Sequence, residues 1–202
     1  MNGYINEPKR IPLLLRIVIA LVERAMKKKM TPVRLLAWYP KAAVGAGVME
    51  GLIAHDEKEV PKRLLQLIRM QVSISSSCPF CIDMNSKEYA GANITDDEIQ
   101  ALQGNIPFEQ VGTFSAAEIT ALEYAKALTS APIRIRESLL ETLKKEFSPR
   151  GIVIIVSTVA QVNFWTRLIQ GLGLPPLGFS PNCPVLNLAA YGTLIPTDSS
   201  EQ

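Results

Sequence analysis

The sequence predicts an all-α protein, and three observations carry that prediction. Apolar residues recur at helical spacing along most of the chain. Thr95-Asp96-Asp97-Glu98 and Ser115-Ala116-Ala117-Glu118 both match the capping box, in which a hydroxyl and an acid three residues on satisfy free backbone N–H groups at a helix start. One run, Ile152-Val153-Ile154-Ile155-Val156, favours a strand by propensity, but no other segment offers a credible partner strand. Its apolar pattern continues through Val159, Val162, Trp165 and Ile169, which fits a long buried helix better.

Residues 1–10 read as irregular. Leu13, Ile17, Ala20, Leu21 and Arg24 then follow helical spacing up to Lys27-Lys28-Lys29, where cations suit a helix C-terminus. A second helix is predicted from Pro40 to His55 and a third from Pro61 to Ser76, joined by Asp56 to Val60. Cys78-Pro79-Phe80-Cys81 opens the next helix, which continues to Gly91, and the capping boxes start helices near 96–103 and 116–130. Arg134 to Phe147 is amphipathic, and Ser148-Pro149 opens the long helix, since proline at the first helical position gives up no hydrogen bond. After Gly171 the chain is rich in proline and glycine, with a short apolar element near Val185 to Leu188 and a polar tail from Thr197 expected to be disordered. Met26, Met30, Met49, Met70 and Met84 read as core filler.

The 202 residues fit one all-helical domain, with 1–30 as an N-terminal arm, 40–170 as the core and 171–202 as a C-terminal segment and tail. A net charge of +2 gives no electrostatic case for nucleic acid. The apolar run from Ile11 to Val22 is interrupted by Arg16 and lacks a small-residue cleavage site, so it makes neither a membrane span nor a secretion signal, and a cytoplasmic protein is expected.

The chemistry lies in the C-x-x-C. Residues three apart on a helix share a face, so Cys78 and Cys81 can meet in a reversible disulfide, with Asn85 one turn further on. A cysteine at a helix N-terminus is stabilised as thiolate by unsatisfied N–H groups and the positive end of the macrodipole, and the thiolate is the nucleophile. Two other readings compete: half of a zinc site, and two structural buried thiols. Cys183 and the single His55 are the only other soft ligands and form no second ligand pair, so neither a metal nor a cofactor is expected.

The segment from Leu65 to Leu102, with CPFCIDMN at its centre and Ile94-Thr95-Asp96-Asp97-Glu98 after it, resembles the core of the carboxymuconolactone decarboxylase and alkylhydroperoxidase D superfamily. Glu118 to Thr129 (EITALEYAKALT) and Val159 to Pro176 (VAQVNFWTRLIQGLGLPP) resemble its longer members. The resemblance implies an all-helical protomer, a symmetric oligomer (trimer or hexamer), and peroxide reduction in antioxidant defence. One thiolate would become a sulfenic acid, the other would condense with it to a disulfide, and an external dithiol or thioredoxin-like reductant would reset the pair. It also implies a proton relay of a Glu twelve residues before the first cysteine and a His four after the second. Those positions hold Gln66 and Asn85, and an amide cannot accept a proton near neutral pH.

Glu50 is the candidate for a displaced base. It is the only charged residue between Ala42 and Ala54 and shares a face with Ala43, Ala46, Gly47 and Ala54, where a buried carboxyl would hold a proton more readily. Glu88 is a weaker candidate, with a solvent-exposed stripe as its ordinary reading. His55 reads as a partner of a helix C-terminus, and Cys183, beside Pro184, as incidental. Asn163 and Arg167 read as hydrogen-bonding residues between helices or subunits. The helix-end argument favours Cys78 as the more acidic thiol, whereas the resemblance favours Cys81 as peroxidatic and Cys78 as resolving. The leading expectation is a thiol-dependent peroxidase. The alternatives are a redox sensor or scaffold with a switchable disulfide and, last, a lactone decarboxylase-like enzyme, whose chemistry has no evident use for a vicinal thiol pair.

Overall fold

The structure, a computed structural model, describes residues 3–53, 58–87 and 93–180, the side chains of 52 and 53 excepted. The predictions for His55, Glu88, Cys183, the helix beyond Lys87, the element at 185–188 and the tail from 197 lie outside the described residues. Among those described there are nine α-helices and no strand. They are α1 (Leu13–Met26), α2 (Thr31–Leu36), α3 (Pro40–Ile53), α4 (Lys62–Ser75), α5 (Pro79–Ser86), α6 (Asp96–Leu102), α7 (Ala116–Thr129), α8 (Glu137–Glu146) and α9 (Pro149–Gly171).

α4 is the hub. Leu64, Leu65, Leu67, Ile68, Met70 and Val72 bury it on several sides, which a helix can do only when neighbours surround it. It packs against α9, α7 and α5. One apolar cluster joins Leu65, Ile68 and Val72 to Ala121 and Ala125 of α7 and Ile155 and Val159 of α9. A second joins Leu67 and Met70 to Ile82, Ile99 and Leu122. The β-branched run 152–156 lies inside α9, a helix of 23 residues. Burial of Ile155, Val159, Val162 and Ile169 against its neighbours outweighs the few tenths of a kcal/mol per residue that β-branching costs a helix. By length and composition α9 is long and apolar enough to cross a membrane, and 39% of its most apolar stretch is buried inside the protein.

Two differences from the predicted elements have local causes. α2 was not predicted: its six residues are too few for a periodic pattern, although Pro32 at its start is a helix-opening signal. α8 begins at Glu137 rather than Arg134, because Arg136 is its extended N-cap and the first acid falls at Glu137.

Both capping boxes form as read, and Arg63 joins them. The Glu98 N–H donates to Thr95 Oγ1 at 3.3 Å and the Thr95 N–H to Glu98 Oε2 at 2.9 Å, with the same exchange at Ser115 and Glu118. Arg63 of α4 then donates to Glu98 Oε1 at 2.5 Å and to Glu118 Oε1 at 2.9 Å, tying the starts of α6 and α7 to the hub. Glu98 is fully buried. Burial by itself would raise its carboxyl, but the bonds from Arg63, Thr113 and the Thr95 N–H outweigh it and hold the group below its ordinary value. Stability from such a group is present above the unfolded-state value of about 4.3 and is lost as pH falls through the lower folded value. Glutamine also serves at the third position of a capping box, so Glu98→Gln isolates the charge from the cap. It is expected to cost roughly 1.5–3 kcal/mol at pH 7 in urea denaturation, with the difference from wild type shrinking below about pH 4.

Candidate active site

α4 ends in a turn that sets the cysteines in place. The Cys78 N–H donates to Ser73 O at 3.1 Å and the Ser77 N–H to Ile74 O at 2.9 Å, with Ser77 in the left-handed region at φ 48°. With its amide spent on α4, Cys78 becomes the N-cap of α5, and its sulfur accepts the Cys81 N–H at 3.3 Å. Pro79 follows at the first helical position, where it loses no bond. The cysteines are joined as a disulfide, with Cα atoms 5.3 Å apart, a separation that the bridge tolerates without backbone movement. Both are buried: Cys78 is 0% and Cys81 4% exposed.

Their surroundings differ. Cys81 lines a partly open cavity of about 270 Å³ between α1, α2, α3, α4, α5 and α9. Its walls are mostly apolar, with Val18, Val22 and Met26 from α1, Met30 and Leu36 around α2, Phe80 and Met84 from α5, and Trp165 from α9. Met26, Met30 and Met84, read from the sequence as core filler, line this cavity; Met30 is also buried, as Met70 is in the core. The polar lining is Glu50, Arg69, Asn85 and Gln161. Cys78 lies outside that lining, packed with Leu35, Ile169 and Leu174.

The segment Leu174 to Ser180 forms a strap over that side. Asp83, fully buried on α5, accepts the Leu177 N–H at 2.8 Å and the Ser180 N–H at 2.9 Å. Lys28 donates to the Leu177 and Gly178 carbonyls and lies 5.1 Å from the centre of the Phe179 ring. At the strap's root Gly173 takes φ 63° beneath the Tyr4 ring, where an added Cβ would come within 2.5 Å of that ring.

Gln66 and Asn85 do meet, as an amide lock. Gln66 Nε2 donates to the Asn85 main-chain O, and Asn85 Nδ2 to Ser73 Oγ at 3.0 Å. Glu50 also lines the cavity, its carboxylate accepting from Gln161 Nε2 and, at 3.1 Å, from Trp165 Nε1. Asn163 bonds between helices, donating to Thr129 Oγ1 at 3.1 Å, and Arg167 is exposed. Sequence reasoning missed Gln161, Trp165, Arg69 and Asp83. A trace existed for the first two, N–H donors one turn apart in an apolar helix that has to satisfy them. A second, larger groove of about 520 Å³ lies near α7 and α8, but it holds charges of both signs and no thiol, so the redox chemistry belongs at the cysteines.

A buried cysteine pair capping a helix, beside a partly open cavity in an all-α chain, defines a helical C-x-x-C protein with a small-molecule-sized site. Residues 42–127 match the model of the carboxymuconolactone decarboxylase family. The uncharacterized protein YdfG of Bacillus subtilis is 24% identical over 140 residues, 68% of this chain and 93% of its own. The fold is similar to that of the debrominase Bmp8, with a TM-score of 0.70 and 19% identity over 83% of this chain and 88% of that one; a Bmp8 variant is known in complex with 2,3,4-tribromopyrrole. It is also similar to the alkylhydroperoxidase AhpD core of an uncharacterized peroxidase-related protein from Ralstonia eutropha JMP134, with a TM-score of 0.71 and 16% identity over 87% and 93% of the two chains.

Replacing Asp83 by Ala removes two charge-assisted bonds to the strap. It is expected to cost about 2 kcal/mol in urea denaturation, and to speed reduction of the disulfide by dithiothreitol several-fold in a stopped thiol-labelling assay.

Proposed function

We propose that the protein is a thiol-dependent peroxidase in which Cys81 attacks the peroxide and Cys78 resolves the product. The observation that carries this reading is the asymmetry of the pair: Cys81 lines a partly open, mostly apolar cavity with an acid on its wall, and Cys78 lies beneath a covered surface. Glu50 takes the Cys81 thiol proton. The thiolate then attacks the distal peroxide oxygen, the S–O bond forms as the O–O bond breaks, and the alkoxide leaves as alcohol with that proton. The product is Cys81 sulfenic acid. Cys78, whose sulfur already accepts the Cys81 N–H, attacks it as thiolate and expels water once the hydroxide is protonated.

Resetting uses the same polarity. An external dithiol or thioredoxin-like reductant supplies two electrons by attacking the sulfur that the cavity exposes, and Cys78 is the better leaving group because the helix N-terminus stabilises its thiolate. Gln66 and Asn85, whose side-chain amides serve as hydrogen-bond donors, hold α4 and α5 in register rather than relaying a proton. The debrominase likeness is a reminder that this fold is not confined to peroxides. The strap supports a second reading, a redox sensor whose disulfide state is felt at the C-terminal segment. A cytoplasmic site of action and a homo-oligomer, trimer or hexamer, complete the reading. For the oligomer the support is the exposed apolar face of α1, where Leu14 is 80% and Leu21 62% exposed, together with Val44 and Val48 of α3.

Dithiol-dependent consumption of cumene hydroperoxide is expected in the wild type and should vanish when Cys78 and Cys81 are both serine. Cys78→Ser alone should consume one equivalent and leave a sulfenic acid that dimedone traps at Cys81, whereas Cys81→Ser should trap none. Turnover in the double variant defeats the peroxidase; negligible wild-type turnover with a redox-dependent change in strap proteolysis favours the sensor. Light scattering at micromolar concentration is expected to give a mass several times that of the chain, and a stable monomer would rule the oligomer out.

A further inference from the structure

Among the described residues, both hydrogen bonds that reach Glu50 end on one oxygen. Gln161 and Trp165 donate to Oε2, and among the described residues no donor reaches Oε1. The two donors are one turn apart on α9, so a single helix face delivers both. An indole nitrogen has a proton to give and no lone pair with which to accept one. A proton on Oε2 would therefore face a donor, while a proton on Oε1 would not.

We propose that Gln161 and Trp165 are positioning residues that confine the exchangeable proton of Glu50 to Oε1, the oxygen left for the cavity it shares with Cys81. This rests on the reading of Cys81 as the cavity-facing nucleophile. Oε1 receives the proton of the Cys81 thiol as the thiolate forms and returns it to the departing alkoxide, so the carboxylate is unchanged over the cycle. Glu50 and Cys81 both line this cavity, so the proton crosses it between wall and sulfur. The charged neighbours are few. α4 contributes Arg69 and α5 contributes Cys81 with the neutral Asn85, while α1 and α2 present apolar side chains.

The test is the pH profile of Cys81 alkylation by iodoacetamide in the reduced protein, read by peptide mass spectrometry. Wild type, Glu50→Gln, Trp165→Phe, Gln161→Met and the two pairings of the latter with Glu50→Gln are compared, with folding checked by circular dichroism. The wild-type profile is expected to show an acid-side inflection that Glu50→Gln abolishes. Loss of either donor should move that inflection up by about one pH unit, since a bond to the charged form favours it. In the Glu50→Gln background neither donor variant should change the profile further. Two variants remove the two donors independently, so misfolding of one leaves the other decisive. Superimposable wild-type and donor-variant profiles, a wild type without the inflection, or equal shifts in the Glu50→Gln background would overturn the assignment. Peroxide turnover measured in parallel keeps the outcomes apart: a shifted inflection without wild-type turnover defeats the peroxidase and leaves the Glu50 geometry standing.

Discussion

The turn from Ser73 to Cys78 decides where the two sulfurs lie. Because the Cys78 amide closes α4 on the Ser73 carbonyl, its side chain is free to open α5, and the Cys81 N–H has a sulfur to donate to. One residue therefore ends one helix and begins another. Ser77 adopts a left-handed backbone to make this possible, a conformation that costs a non-glycine residue about 1–2 kcal/mol. α4 can absorb that cost because it is the most deeply packed helix of the fold, with Leu67, Ile68, Met70 and Val72 all at 0% exposure.

From this turn follows a division of labour between chemically identical thiols. Cys81 is displaced one turn along α5 and reaches the cavity; Cys78 stays at the helix end under Leu174. The sequence argument for Cys78 as the more acidic thiol and the family argument for Cys81 as the attacking one therefore describe different properties of one arrangement. The thiolate best stabilised by the backbone suits resolution and departure, and the sulfur best exposed to a cavity suits attack.

Features made by neighbours in the chain were legible from the residues. Both capping boxes, the helix start at Ser148-Pro149 and the helix-opening C-x-x-C needed only three- and four-residue patterns. The β-branched start of α9 was read correctly because the apolar pattern beyond it is longer than any strand the chain could pair. What stayed hidden was pairing across distance. Glu50 stood out as a lone acid, but its donors lie 111 and 115 residues away. Arg63 gave no sign that it would hold the acids of both boxes. Met26, Met30 and Met84 have the same local pattern as Met70, and only the assembled helices show which of them face empty space.

The strap has a consequence for the order in which the protein is made. Asp83 and its two backbone donors are 94 and 97 residues apart, and a chain is synthesised from its N-terminus. α5 and both cysteines thus leave the ribosome well before Leu174 to Ser180 exist to cover them. Until then Cys78 lacks the cover of Ile169 and Leu174, and α9 and the strap complete its burial. The cover over Cys78 is consequently a property of the long-range fold, whereas the difference between the two sulfurs is set by the local turn.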